Sequence, residues 1–170
     1  MRKLLLRLAI LTIIAFVGIQ VQAQTTTIYL VRHAEKDLSD VNTKDPNLNG
    51  LGLQRAVDLE KILADKNIAA IFSSNFKRTL QTAAPLSLQL KMEPIIYDPS
   101  ETKLLAEKIL REYKGKTVLI VGHSNTILPQ TRALGGYPSF TEIQDTDYRN
   151  LIKVTINGSD IKTEELKYGN

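Results

Sequence analysis

From residue 24 onward the chain alternates between short apolar runs and longer segments whose apolar residues recur at helical spacing. Thr27–Val31 (TIYLV), Ala69–Phe72 (AAIF), Pro94–Tyr97 (PIIY) and Thr117–Val121 (TVLIV) read as strands. Between the first two, Asn49–Ala64 reads as a helix with Leu53, Ala56, Val57, Leu59, Ile62 and Leu63 on its buried stripe. A second helix is expected over Asn75–Leu88, with Pro85 placed to kink or end it. A third spans Glu101–Tyr113, with Leu104, Leu105, Ile109 and Leu110 on one face, Ser100 as N-cap and Gly115 as stop. Asn125–Leu134 is expected to be helical despite Pro129 and to end at Gly135-Gly136. Tyr148–Ile156 and Asp160–Leu166 form a hairpin pattern around Asn157-Gly158. This alternation predicts an α/β fold of three αβα layers. Its central sheet is mostly parallel and mixed, the hairpin supplying an antiparallel edge. A run as continuous as TVLIV suits a strand buried on both faces.

Residues 1–23 (MRKLLLRLAILTIIAFVGIQVQA) follow a different rule. Arg2, Lys3 and Arg7 precede an uncharged run from Leu8 to Ile19, and Val21 and Ala23 occupy the small-residue positions before a cut. The run is shorter than the roughly 20 residues of a bilayer-spanning helix. The segment reads as a secretory signal peptide, with an uncleaved membrane anchor as the other reading. The expected location is periplasmic or secreted, without stable membrane association once the signal is removed. No internal repeat or linker divides residues 24–170, so they are expected to form one domain.

Composition narrows the chemistry. The 170 residues include 22 basic and 18 acidic side chains, for a formal charge of +4. Without the three positives of the first segment the balance is 19 against 18, which gives no reason to expect a nucleic-acid partner. Cysteine is absent, which excludes disulfides, thiolate metal sites and cysteine nucleophiles. With only two histidines, a three-histidine zinc site cannot form within one chain. No metal and no cofactor are expected, and the oligomeric state is not readable.

Three of the expected strands end in polar residues: Arg32-His33 after the first, Ser73-Ser74 after the second, and Gly122-His123-Ser124 after the fourth. In an open α/β sheet, ligands bind beyond the carboxyl ends of the strands. If these strands run parallel, both histidines reach one rim although they are far apart in sequence. Arg78, early in the helix after AAIFSS, can turn back toward the same rim.

The segments LVRHAEK, SSNFKRTLQTA and VGHSNT, in this order, resemble the histidine phosphatase superfamily and its phosphoglycerate mutase-like fold. Leu48–Gly52 and the aromatic-bearing late strand Tyr148–Val154 extend the likeness over most of the chain. The resemblance implies that His33 is the nucleophile that becomes phosphorylated. It further implies that Arg32 and Arg78 bind phosphate and that His123 is the second histidine of the pocket. These residue types suit the chemistry. A neutral imidazole is a competent nucleophile, and guanidinium forks hold phosphate bidentately while dispersing its charge.

The larger mutases of the family carry an insertion with a glutamate that protonates the leaving oxygen, and that insertion is missing or very short here. Candidate acids are Glu101, Asp98 and Glu35, with Glu101 favoured because it follows PIIY on the expected rim. The Asn42–Asn49 loop, together with Tyr137 and Phe140, is placed to border a substrate. The expected function is an exported, metal-independent phosphomonoesterase acting on a small phosphorylated substrate through a phosphohistidine on His33. The alternatives are a phosphohistidine-protein phosphatase and a non-catalytic phosphate- or phosphoprotein-binding module of the same fold.

Overall fold

The computed structural model describes residues 24–169; the expected signal peptide and its cleavage point lie outside the described residues. Six strands form one sheet: β1 (Thr26–Arg32), β2 (Ile68–Ser74), β3 (Ile95–Tyr97), β4 (Thr117–Gly122), β5 (Asn150–Asn157) and β6 (Asp160–Lys167). Their order is β3-β2-β4-β1-β5-β6. The pairs β3-β2, β2-β4 and β4-β1 are parallel, while β5 runs antiparallel to β1 and β6 antiparallel to β5. This is the mixed sheet expected from the strand and helix alternation.

Among the described residues four helices cover it: α1 (Gly50–Leu63), α2 (Lys77–Leu90), α3 (Thr102–Glu112) and α4 (Ser124–Ala133). Ile28 and Leu30 of β1 with Val118 and Ile120 of β4 pack against Ile109 of α3 and Ile127 of α4. The alternate residues Tyr29, Val31, Leu119 and Val121 pack on the other face against Leu59 and Leu63 of α1 and Leu86 of α2. The central strands are therefore apolar without a break from Ile28 to Val31 and from Val118 to Val121, because each face has its own helix layer. The fold is the expected three-layer αβα arrangement.

Neighbouring strands β1 and β4 send their following helices to opposite faces, α1 to one and α4 to the other. That divergence opens a crevice beyond their carboxyl ends. The register pairs Arg32 with Gly122, and His33 N–H donates to the Gly122 carbonyl at 2.9 Å. The two expected histidines therefore leave adjacent strand ends at the same level.

Several local expectations change. In α1 the buried positions are Gly52, Arg55, Ala56, Leu59 and Leu63, whereas Leu53 and Ile62 are exposed and Val57 is half-buried. Ala56, Leu59 and Leu63 are buried as expected, but Gly52 and Arg55 take the places expected for Leu53, Val57 and Ile62 on the buried face. Arg55 can be buried because Glu35 pairs with it. In α3, Leu105, Ala106 and Ile109 are buried, but Leu104 and Leu110 face solvent. Glu101 rather than Ser100 occupies the N-cap of α3, and Ser100 instead donates through both N–H and Oγ to Asp98 Oδ1. As their expected spans required, α2 and α4 both continue beyond their prolines, by five residues after Pro85 and four after Pro129. The β5-β6 hairpin closes on Gly158-Ser159, and Gly158 has φ +63°, which suits glycine at the first central position of a tight hairpin turn.

Candidate active site

Arg32, His33, Arg78 and His123 line one depression of about 360 Å³, together with Lys36, Phe76, Pro99, Asp145 and the first residues of α4. The rings of His33 and His123 meet edge to face with centroids 5.5 Å apart. The four side chains expected to converge do so, at the divergence of β1 and β4.

His33 is buried and fixed from several sides. Its Nδ1 lies 2.8 Å from the Ala34 carbonyl oxygen. A carbonyl only accepts, so Nδ1 carries the proton, and a neutral ring keeps its lone pair on Nε2. The following amide, Ala34 N–H, donates to Thr82 Oγ1 on α2 at 2.9 Å, and Thr82 Oγ1 donates to the Arg78 carbonyl at 2.7 Å. One buried threonine thus ties the loop that carries His33 to the turn carrying Arg78. On the other side, Gly52 of α1 lies so close that a Cβ there would sit 2.3 Å from the Glu35 carbonyl oxygen.

Burial is the largest cause that lowers the His33 pKa. The Ala34 carbonyl raises it, and Arg32, Arg78 and His123 lower it further, leaving it at about 3. His123 falls to about 4, again first through burial and then through Arg78 and Arg32. Both rings are therefore neutral at physiological pH. His123 Nε2 lies 2.8 Å from Ser74 Oγ, which reaches Thr79 Oγ1 at 3.1 Å, so a pair of buried hydroxyls orients the ring.

The arginines are held by matching devices. Arg32 Nη1 donates to the carbonyls of Gln144 and Asp145 at 2.9 and 3.0 Å, and Nη2 to Asp145 Oδ1 at 3.3 Å. Arg78 Nη1 donates to Asp45 Oδ1 at 3.2 Å. The same Asp45 carboxylate accepts the Lys77 N–H at the start of α2. Among the described residues Arg32 Nε and Arg78 Nε are buried donors without a partner. A buried guanidinium edge of this kind is satisfied by an anion. The open first turn of α4 adds backbone donors and the positive end of a helix dipole to the same depression. The arrangement fits one tetrahedral oxyanion set against the free nitrogen of His33. Among the described residues no group of three or more His, Asp or Glu is placed to hold a metal ion.

The three candidate acids lie elsewhere. Glu35 is committed to Arg55 through three hydrogen bonds, the shortest 2.7 Å. Asp98 accepts from Ser100, and both Asp98 and Glu101 line a different depression with Ile96, Tyr97 and Leu104. The carboxylates that reach the pocket arginines are Asp45 and Asp145. Asp45 comes from the loop expected to border a substrate. Asp145 and the Gln144 carbonyl come from a segment that carries no motif, and a backbone carbonyl leaves no mark in a sequence.

Residues 28–100 match the family model of the histidine phosphatase superfamily, branch 1. The chain is 34% identical over 97 residues to the probable phosphatase C1687.21 of Schizosaccharomyces pombe, covering 54% of this chain. The match spans 44% of that relative's length, less than half of it. The fold is similar to that of Bacillus stearothermophilus YhfR (TM-score 0.66, 20% identity, 82% of this chain and 96% of that one). It is similar also to the protein histidine phosphatase SixA complexed with tungstate (TM-score 0.67, 16% identity, 83% and 96%). A mycobacterial glucosyl-3-phosphoglycerate phosphatase aligns with TM-score 0.64 at 14% identity, over 86% of this chain and 100% of that one. The segment that matches the histidine phosphatase model runs from β1 through Arg32, His33 and Arg78, and the sheet is of the phosphoglycerate mutase-like kind.

Proposed function

We propose that this protein is a phosphatase that hydrolyses phosphate monoesters through a covalent phosphohistidine on His33. The observation that carries this reading is the Nδ1–H bond from His33 to the Ala34 carbonyl, which leaves Nε2 unprotonated beside two guanidiniums. In the first step the Nε2 lone pair forms a P–N bond while the ester P–O bond breaks, and the leaving oxygen departs with that electron pair and takes a proton from water. In the second, water attacks phosphorus, the P–N bond breaks, its electron pair returns to Nε2, and the attacking water gives up a proton to the hydroxide left by the first step. Arg32, Arg78 and His123 stabilise the charge on the equatorial oxygens, which is the main demand of phosphoryl transfer. The guanidiniums supply that positive charge, so the mechanism requires no metal ion.

Asp45 and Asp145 accept hydrogen bonds from guanidiniums rather than offering a proton to a leaving group. The site therefore suits leaving groups that depart without strong acid assistance, such as phenols. The same observation favours a second reading, a phosphohistidine-protein phosphatase, because a phosphoramidate nitrogen also departs readily. Residues 1–23 support export, so the proposed setting is periplasmic or extracellular with a small phosphorylated substrate. Assay of residues 24–170 against an aryl phosphate tests the reading. Turnover that His33→Ala abolishes is the expected result, and a wild-type protein that binds phosphate without turnover would make the chain a binding module.

A further inference from the structure

Each pocket arginine lies over an aromatic ring, and each of those rings also abuts a pocket histidine. The Arg32 guanidinium carbon stands 4.2 Å from the centroid of Tyr148, whose ring is 6.2 Å from His33. The Arg78 guanidinium carbon stands 4.4 Å from the centroid of Phe76, whose ring meets His123 edge on at 5.0 Å. The two halves of the site repeat one construction: an arginine hydrogen-bonded to an aspartate, its guanidinium carbon over an aromatic ring, beside an imidazole.

Phe76 is an unusual residue for its position. It is the N-cap of α2, where Ser, Thr, Asp or Asn would normally accept a backbone N–H, and its ring makes no capping hydrogen bond. Asp45 performs part of that task from a distant loop by accepting Lys77 N–H. Local helix chemistry therefore does not explain Phe76, whereas its contacts with Arg78 and His123 do. Tyr148 lies in the loop just before β5, with its ring against the Arg32 guanidinium and near the His33 ring.

We propose that Phe76 and Tyr148 are positioning residues that hold the Arg78 and Arg32 guanidiniums in the planes from which they grip a phosphoryl group. This rests on the phosphatase reading for its catalytic consequence, but its binding consequence stands apart from turnover. A face-on ring fixes the guanidinium plane and favours its charge. Without the ring, a long arginine side chain regains rotamers, and binding must order it again.

The test uses Phe76→Leu, Tyr148→Leu and Tyr148→Phe in the protein of residues 24–170. Three readouts are inhibition by orthovanadate, kcat/KM on one aryl and one alkyl phosphate, and calorimetric binding of inorganic phosphate. Each leucine variant should weaken vanadate and phosphate binding about tenfold and lower kcat/KM by a similar factor on both substrates. Tyr148→Phe should stay within about twofold of wild type, because the ring is kept. Thermal melting of each variant separates misfolding from loss of positioning. Folded leucine variants with unchanged vanadate and phosphate affinity would overturn the proposal. So would a loss confined to one substrate, which would make the rings contacts for the leaving group. If wild type shows no turnover, the phosphatase reading fails, and phosphate binding by the same variants still decides this inference.

Discussion

The imidazole of His33 donates from Nδ1 to the carbonyl oxygen of Ala34, 2.8 Å away, in the residue that follows it. Loss of His33 should not abolish the anion site built around it. His33→Ala is expected to lower turnover of an aryl phosphate by about three orders of magnitude or more. Phosphate binding, measured by calorimetry, should survive because both arginines and His123 remain.

Depressed histidine pKa values have a visible consequence. Neither ring should titrate between pH 7.5 and 5, since burial and the two guanidiniums hold His33 at about 3 and His123 at about 4. The chain has only two histidines, so an NMR titration of the imidazole signals reads both directly. A midpoint near the ordinary 6.5 for either ring would contradict the electrostatics described. The sign for stability follows. Below 6.5 the unfolded chain takes up protons that the folded one refuses. Stability should therefore fall as pH falls from 6.5 toward 4, and chemical denaturation at those two pH values measures it.

Glu35 and Arg55 are expected to act on stability. Their side chains are 15% and 9% exposed and meet at 2.7 Å, and Arg55 Nη1 also donates to the Tyr168 carbonyl near the end of the described chain. Arg55→Ala leaves the Glu35 carboxylate without this partner and should cost on the order of 3 kcal/mol in urea unfolding. Glu35→Gln should lower the melting temperature without changing the ratio of alkyl to aryl phosphate turnover. Glu101→Gln should also leave that ratio unchanged, because Glu101 lines a separate depression.

Gly52→Ala tests how closely α1 must approach the loop that carries His33. The added methyl would fall 2.3 Å from the Glu35 carbonyl, a backbone atom that cannot swing aside. A loss of about 1–3 kcal/mol is expected, with reduced turnover from displacement of the loop. Wild-type stability in this variant would show that the helix can retreat at little cost.

The convergence of Arg32, His33, Arg78 and His123 was legible because strand ends mark the binding rim of a parallel sheet, and two short apolar runs both end in an Arg-His or Gly-His pair. What surrounds them was not. Asp45, Asp145 and the Gln144 carbonyl reach the arginines from loops whose paths no periodicity encodes. Phe76 and Tyr148 read as ordinary apolar residues until the fold sets them under guanidiniums. The errors along the helices have a different origin. Apolar residues cover more than one face of α1 and α3, so Leu53 and Leu104 fit a stripe as well as the residues truly buried. Burial of Arg55 depends on Glu35, which is distant in sequence, and that pairing puts a charged residue on the buried face of α1.

The most direct measurement is to trap the intermediate. Mixing the protein with a labelled aryl phosphate and quenching in alkali should capture a phosphoenzyme that survives base, is lost in acid, and maps to Nε2 of His33. A label that resists acid, maps to another side chain, or persists in His33→Ala would contradict the account.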